Sequence, residues 1–317
     1  MRRSNENLIK VKKNKNDEFY TQYQDIQTEI NAYLDYNSNL FKDKIVLCPC
    51  DDPEWSNFTK FFIDHFEEFG LLKLISTCYI KGGHGKLLIK DRNKTIKQEL
   101  QGDGDFRSQE VTAIRDQVDF IITNPPFSLF REFMDWIWKG PGLQFLVIGN
   151  MNAITYKEIF PKIKDNKMWL GKGFQNGNAF FRTTTTRDFS SGVYDEKTGL
   201  VKFRNCCWLT NIDHGRRHQP LQLMTAVENL RLSKHDAIKG KTFEEAYPKY
   251  DNYDAIEVSY TDAIPKDYEG VMGVPISFLD RYCPDQFEII KFRKGDNDKD
   301  LSINGNCPYF RILIRKK

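Results

Sequence analysis

Phe120-Ile121-Ile122-Thr123-Asn124-Pro125-Pro126-Phe127 is the stretch on which the fold of this chain turns. Four apolar or β-branched residues behind Asp119 have the composition of a short buried strand. The strand has to stop at the prolines, which cannot donate to a ladder, and Pro125 pushes Asn124 toward extended geometry. What remains is a rigid corner with undonated carbonyls, an amide side chain and an aromatic ring.

That corner suits one task well. The Asn124 side-chain oxygen and the Pro125 carbonyl can accept the two protons of a planar exocyclic amine while Phe127 stacks on its ring. An amine such as adenine N6 is a poor nucleophile because its lone pair is delocalised. Two acceptors set at tetrahedral directions favour the pyramidal form, freeing the lone pair for in-line attack on a methyl sulfonium. This is stabilisation of developing charge by preoriented dipoles. Asn124, Pro125, Pro126 and Phe127 are therefore the catalytic candidates. The competing reading is an ordinary loop at the end of a strand.

On either side of the corner, strands and helices alternate. Ile45-Val46-Leu47-Cys48 reads as a buried strand, and Asp52-Pro53 as the cap and start of a helix with Phe58, Phe61, Phe62, His65, Phe66 and Phe69 on its apolar side. Gly70 ends that helix, and 71–80 gives a second strand. Residues 86–100 read as a hairpin tipped by Asp91-Arg92-Asn93. Ser108 caps a short helix before the central strand; 130–138 is helical and 145–149 a further strand. Met168-Trp169-Leu170 and 201–209 are expected to complete the sheet in antiparallel fashion. The pattern predicts an α/β fold with a doubly wound, largely parallel sheet, in which ligands bind beyond the carboxyl ends of the strands. Asp51, Asp105 and Asn124 follow predicted strand ends and are expected on one rim.

The 317 residues allow one large domain or two modest ones. Residues 1–16 form a basic arm, flexible and solvated or touching DNA phosphates; 17–212 hold the catalytic region; 213–317, turn-rich and aromatic, make a smaller mixed region. No run of 18 apolar residues exists, so no membrane span is expected. The basic N-terminus lacks the apolar segment of a secretory signal. The 7 cysteines, irregularly spaced and without CxxC, point to reduced thiols in a cytoplasmic protein rather than to a metal site. A net charge of +3 leaves nucleic-acid binding to local patches.

Asp17-Glu18-Phe19-Tyr20-Thr21-Gln22, then Cys50-Asp51-Asp52-Pro53 with Ser56-Asn57-Phe58, then Asn124-Pro125-Pro126-Phe127 resemble the EcoRI-type adenine-specific DNA methyltransferases. Cys207-Trp208-Leu209-Thr210-Asn211, Tyr253-Asp254-Ala255-Ile256 and Pro284-Asp285-Gln286-Phe287 are similar as well. The resemblance implies a methyltransferase-like (Rossmann-like) fold and transfer from S-adenosyl-L-methionine to N6 of an adenine in a short duplex site, without a metal. It further implies target recognition by 213–317 and a cognate restriction endonuclease acting on the same site. By the same resemblance Phe19, Tyr20 and Thr21 lie over the methionine end of the cofactor, and Cys50, Asp51 and Asp52 occupy its loop. Asp105 and Phe106 match the positions that meet its adenine; the alternative for that pair is a plain turn.

The first-strand loop departs from methyltransferases at large, because Cys48-Pro49-Cys50-Asp51-Asp52-Pro53-Glu54-Trp55 contains no glycine. A carboxylate there either bonds the cofactor or caps a helix. The target base must leave the duplex stack. Arg182 and Arg187 around the Thr183–Thr186 run, and His214, Arg216 and Arg217 in a basic loop, are candidates for DNA contacts, with solvated loops as the alternative. Two other readings compete. One is methylation of a protein glutamine or an RNA guanine, which use a similar turn; the other is a non-catalytic nucleic-acid-binding relative. The mass lying after the catalytic region favours DNA, and the intact corner favours an enzyme.

Overall fold

A computed structural model describes residues 19–174, 178–182, 192–293, 301–308 and 310–317. The basic arm 1–16, Arg187 and the Thr183–Thr186 run lie outside the described residues. The strands in chain order are β1 (Tyr20–Thr21), β2 (Ile45–Cys48), β3 (Lys73–Cys78), β4 (Lys86–Asp91), β5 (Thr95–Glu99), β6 (Phe120–Thr123), β7 (Gln144–Asn150), β8 (Trp169–Leu170), β9 (Asn178–Arg182), β10 (Tyr194–Asp195), β11 (Leu200–Arg204), β12 (Cys206–Thr210), β13 (Ile256–Glu257), β14 (Met272–Pro275), β15 (Phe287–Arg293) and β16 (Arg311–Lys316). They fall into two compact units, residues 1–154 with 168–214, and residues 155–167 with 215–317.

The first unit is built on an eight-stranded sheet in the order β5-β4-β3-β2-β6-β7-β12-β8. Pairs β2–β3, β2–β6 and β6–β7 are parallel. The remainder are antiparallel, because the β4–β5 hairpin follows β3 with no helix between and β12 and β8 close the other edge. The sheet is thus more mixed than the alternation of elements suggested.

Period-two patterning explains the two covered faces. Val46, Cys48, Leu74, Phe120, Ile122, Leu146, Ile148 and Trp208 share a core with Ile26 and Ile30 of the helix Tyr23–Leu34 and with Phe58, Phe61 and Phe62 of the helix Asn57–Asp64. The odd-numbered face meets the helix Phe130–Trp138: Trp138 lies edge-on to Phe145 at 5.5 Å, and a side chain on Gly149 would touch Phe130 and Leu209 at 3.0 Å. The chain winds from β2 to β3 in one direction and from β6 to β7 in the other. The direction reverses between β2 and β6, and their carboxyl ends flank the crevice this creates.

Three boundaries differ from the sequence reading. The helix after β2 begins at Asn57, with Ser56 as N-cap accepting from Phe58 N, while Pro53–Trp55 form a turn. That helix ends at Asp64 with His65 as its C-cap, and 65–70 are turns, so Gly70 closes the turns that follow and not the helix itself. The expected 201–209 strand is two strands in two sheets. Asn205 takes a positive φ of 61°, and there the chain leaves β11, in a four-stranded sheet ordered β1-β9-β11-β10, to enter β12.

Backbones cross closely at the rim of β3, where Gly104 adopts a φ of +81° and an added Cβ would lie 2.2 Å from the Cys78 carbonyl oxygen. Gly104→Ala is expected to cost at least about 2 kcal/mol, from the left-handed backbone plus that collision. Thermal unfolding is the check, and an unchanged melting temperature would refute the assignment.

In the second unit the order is β13-β14-β16-β15. Residues 155–167, counted above with the catalytic region, belong here because the helix Phe160–Lys164 packs Phe160 against Phe292 of β15, at 5.4 Å between ring centroids. Among the described residues no helix is long and apolar enough to cross a membrane. No cluster of His, Cys, Asp and Glu there could hold a metal ion.

Candidate active site

The corner after β6 stands beside the reversal point. Asn124 Nδ2 donates to the Phe19 carbonyl at 2.8 Å, which turns Oδ1 the other way; Oδ1 is buried and has no partner among the described residues. The Pro126 carbonyl accepts from Leu129 N at 3.0 Å, whereas no backbone N–H among the described residues donates to that of Pro125. Phe127 is half-buried in a nest of rings, 5.7 Å from Phe203, 6.1 Å from Phe181 and 6.3 Å from Phe19. An unpaired acceptor in a low-dielectric wall is costly unless something donates to it. An exocyclic amine carries donors that could do so.

Phe19-Tyr20-Thr21 forms a strap across this corner. Tyr20 pairs with Arg182 and Thr21 with Phe181 on β9, and the Thr21 carbonyl accepts from Asn57 Nδ2 at 2.7 Å. Thr21 is 2% exposed, yet its hydroxyl has no partner among the described residues.

From β2, Asp51 comes alongside. One of its carboxyl oxygens accepts from Ser56 Oγ at 2.5 Å and the other from Thr123 Oγ1, while Ser76 Oγ donates to the Asp51 carbonyl at 2.7 Å. Burial pushes this carboxyl up to about 7, with Asp52 pushing the same way and the two hydroxyls pulling down. Asp52 instead accepts from Glu54 N at 2.8 Å and pairs with Lys86 at 3.1 Å. Neither aspartate caps the helix directly; Asp51 grips the serine that does. Between Asp51 and Asp105, the Cys50 thiol is held well above its usual range, by burial first and then by both carboxylates.

Asp105 reaches the same rim by way of the β4–β5 hairpin. The Arg107 guanidinium forks onto it at 2.6 and 2.9 Å and holds it below the usual carboxylate range. Phe106 is a core ring, 4% exposed and edge-on to Phe133 and Trp136.

A family model described as adenine-specific methyltransferase EcoRI matches residues 7–317. The chain belongs to that family. It is 44% identical to the type II methyltransferase M.EcoRI of Escherichia coli, over 99% of this chain and 97% of that protein. It is 36% identical to M.MpnI of Mycoplasma pneumoniae (97% of each) and 32% identical to M.MgeORF184P of Mycoplasma genitalium (97% of this chain and 98% of that protein), both also type II methyltransferases. No solved structure matches the chain. As an EcoRI-family adenine-specific methyltransferase it requires a methyl donor, and its acceptor is adenine rather than a protein glutamine or an RNA guanine.

The basic loop is not the open patch expected of it. His214 is 2% exposed, with Nε2 against the Leu170 carbonyl at 3.0 Å and its ring edge-on to Tyr33; Arg217 is 6% exposed and donates to Asn166 Oδ1 at 2.5 Å. Both of these bonds lie within the unit that carries the side chain, and burial of a cation or imidazole calls for such partners. Arg216 is half-buried and Arg182 exposed. Conversely, Ser56, Asn57 and Thr123 were not singled out as site residues. The available signal was a hydroxyl ending an otherwise apolar strand opposite a carboxylate-bearing loop.

For Asp51 the folded-state value lies above its usual one, so folding favours the protonated form. The contribution of Asp51 to stability should therefore fall as pH rises from about 4 to about 7 and level off above that range. Asp51→Asn is expected to remove this component, at most about 4 kcal/mol for a rise from 3.8 to about 7, and to melt no lower than wild type at pH 8. Melting temperatures from pH 4 to 8 decide; an undiminished slope in the variant would count against the assignment.

Proposed function

We propose that this chain transfers a methyl group from S-adenosylmethionine to N6 of an adenine turned out of duplex DNA at a short specific site. The observation that carries the reading is the buried, unpartnered Oδ1 of Asn124, aimed away from Phe19 at the end of β6. Asn124 and the Pro125 carbonyl accept the two amine protons, and the Pro126 turn holds the corner stiff. Phe127 lies against the base. As the nitrogen turns pyramidal its N–H bonds point more directly at both acceptors, so the contacts strengthen toward the transition state.

The residues present fit such a donor, which when bound supplies an electrophilic methyl on a sulfonium. Thr21 offers a buried hydroxyl with nothing bonded to it, and Asp51 a buried carboxylate for a cationic group. Phe19 and Tyr20 continue the strap; Cys50 and Asp52 shape the loop. Asp105 stands at the rim as a hydrogen-bond acceptor, whereas Phe106 acts through packing. No step needs a metal.

DNA phosphates would meet Arg182 and Arg216, and Arg187 among the residues not described. Residues 155–167 with 215–317 serve target recognition. A restriction endonuclease of matching specificity in the same cytoplasm is the expected counterpart, without a stable complex, as the type II naming of the relatives suggests.

Expressing the chain in a host without adenine methylation and sequencing its plasmid for modified bases tests the proposal. N6-methyladenine at every copy of one short motif is expected; unmodified adenine throughout would sink it.

A further inference from the structure

Asn124 is useful only if its amide presents the right end. Rotated by half a turn, it would point two N–H groups at the incoming amine, donor against donor. The strap prevents this, since Nδ2 is engaged by the Phe19 carbonyl at 2.8 Å. But β1 is two residues long, and its short pairing with β9 is a weak hold by itself.

Its anchor is on the next carbonyl but one. Asn57 Nδ2 donates to the Thr21 carbonyl at 2.7 Å, and Asn57 opens the helix capped by Ser56. Ser56 Oγ donates to Asp51 at 2.5 Å, Thr123 Oγ1 donates to the other Asp51 oxygen, and Thr123 is joined by a peptide bond to Asn124. Hydrogen bonds and covalent links thus run from the corner through the strap, the helix N-terminus and the first-strand loop back to the corner.

We propose that Thr123 and Asn57 are positioning residues, whose closed ring of hydrogen bonds orients the Asn124 amide toward the substrate amine and makes that orientation depend on the loop proposed to hold the donor. The inference rests on the reading of Asn124 given above. Thr123 is fully buried and its hydroxyl is spent on Asp51, so it acts through its neighbours and not on substrate.

Asp51 accepts both hydroxyls only as a carboxylate; once protonated it has to donate, and one hydroxyl must turn away. The titratable and charged groups around it are Asp52 and Cys50 on its own loop, Cys48 at the end of β2, Asp105 beyond Cys50, and Lys86 of β4, which is paired with Asp52 and Glu54. Its other neighbours, Ser56, Ser76 and Thr123, are neutral. Removing the Thr123 hydroxyl removes a bond that favours the ionised form.

Thr123→Val, Thr123→Ser and Asn57→Leu test the ring, with S-adenosylmethionine at saturation and plasmid DNA from a host lacking adenine methylation. In Thr123→Val and Asn57→Leu, kcat should fall about 10- to 100-fold, as misplacement of a reacting group does. The Kd for S-adenosylhomocysteine and the KM for DNA should stay within about threefold, well inside that change. The acid limb of kcat should move to higher pH in Thr123→Val, and Thr123→Ser should restore both rate and limb. A purely structural bond would lower the melting temperature while leaving kcat and its pH limb in place. Should Thr123→Val not fold, Asn57→Leu and the serine variant still decide. Wild-type kcat in both Thr123→Val and Asn57→Leu, beside an inactive Asn124→Ala, overturns the ring alone; an active Asn124→Ala overturns the reading beneath it.

Discussion

Asn124→Ala is expected to lower kcat by about 10³-fold, the range seen when one preoriented group facing developing charge is removed. The Kd for S-adenosylhomocysteine should barely change, because Thr21 and Asp51 are untouched. Two contacts disappear together in this variant: the open acceptor and the bond from Nδ2 to the Phe19 carbonyl. Asn124→Asp separates them. It keeps an acceptor at the corner but sets a carboxylate against the Phe19 carbonyl, so it should fall between wild type and alanine. Single-turnover methylation of plasmid DNA with labelled donor measures both. Near-normal turnover in Asn124→Ala would remove the amine from this corner.

The second large effect lies in the smaller unit. Glu257 on β13 is buried and accepts from Arg311 Nη2 at 2.6 Å, from Arg311 Nε at 2.9 Å and from the Tyr250 hydroxyl. Little room exists for adjustment, since a Cβ on Gly273 would lie 2.0 Å from that hydroxyl. Arg311→Met strands the carboxylate in an apolar wall and is expected to cost about 3–5 kcal/mol. Adding Glu257→Gln should recover most of the loss, because the uncompensated charge is what destabilises. Urea unfolding of the three proteins tests this; a double variant as weak as the single one would refute the account. If residues 155–167 with 215–317 read the target, Arg311→Met should also lose DNA binding before S-adenosylhomocysteine binding as temperature rises.

The strands β2, β3, β6 and β7 and the helix Phe130–Trp138 were legible because each is a short apolar run closed by a Gly, Pro or capping residue. The hairpin β4–β5 was legible from its polar Asp91-Arg92-Asn93 tip, and the Ser108 cap from a hydroxyl ahead of a short helix. The 201–209 run was misread as one strand since its patterning continues through Asn205, and only the left-handed backbone there sends its halves to different sheets. His214 and Arg217 illustrate the complementary failure: charge in a glycine-containing loop looks solvated until a neighbour 44 or 51 residues away claims it.

What the sequence determined by itself was the chemistry available at one corner, because Asn124-Pro125-Pro126-Phe127 constrains its own backbone and carries its own acceptors and ring. What only the tertiary structure decided was which end of that amide is open. The Phe19 carbonyl, 105 residues away, takes the N–H side, and Asp51, 72 residues from Thr123, secures the strand that leads into the corner. Local stereochemistry is written in adjacent residues. The pairing of donors with acceptors across a reversing sheet is not, because it depends on which strand ends the winding brings together.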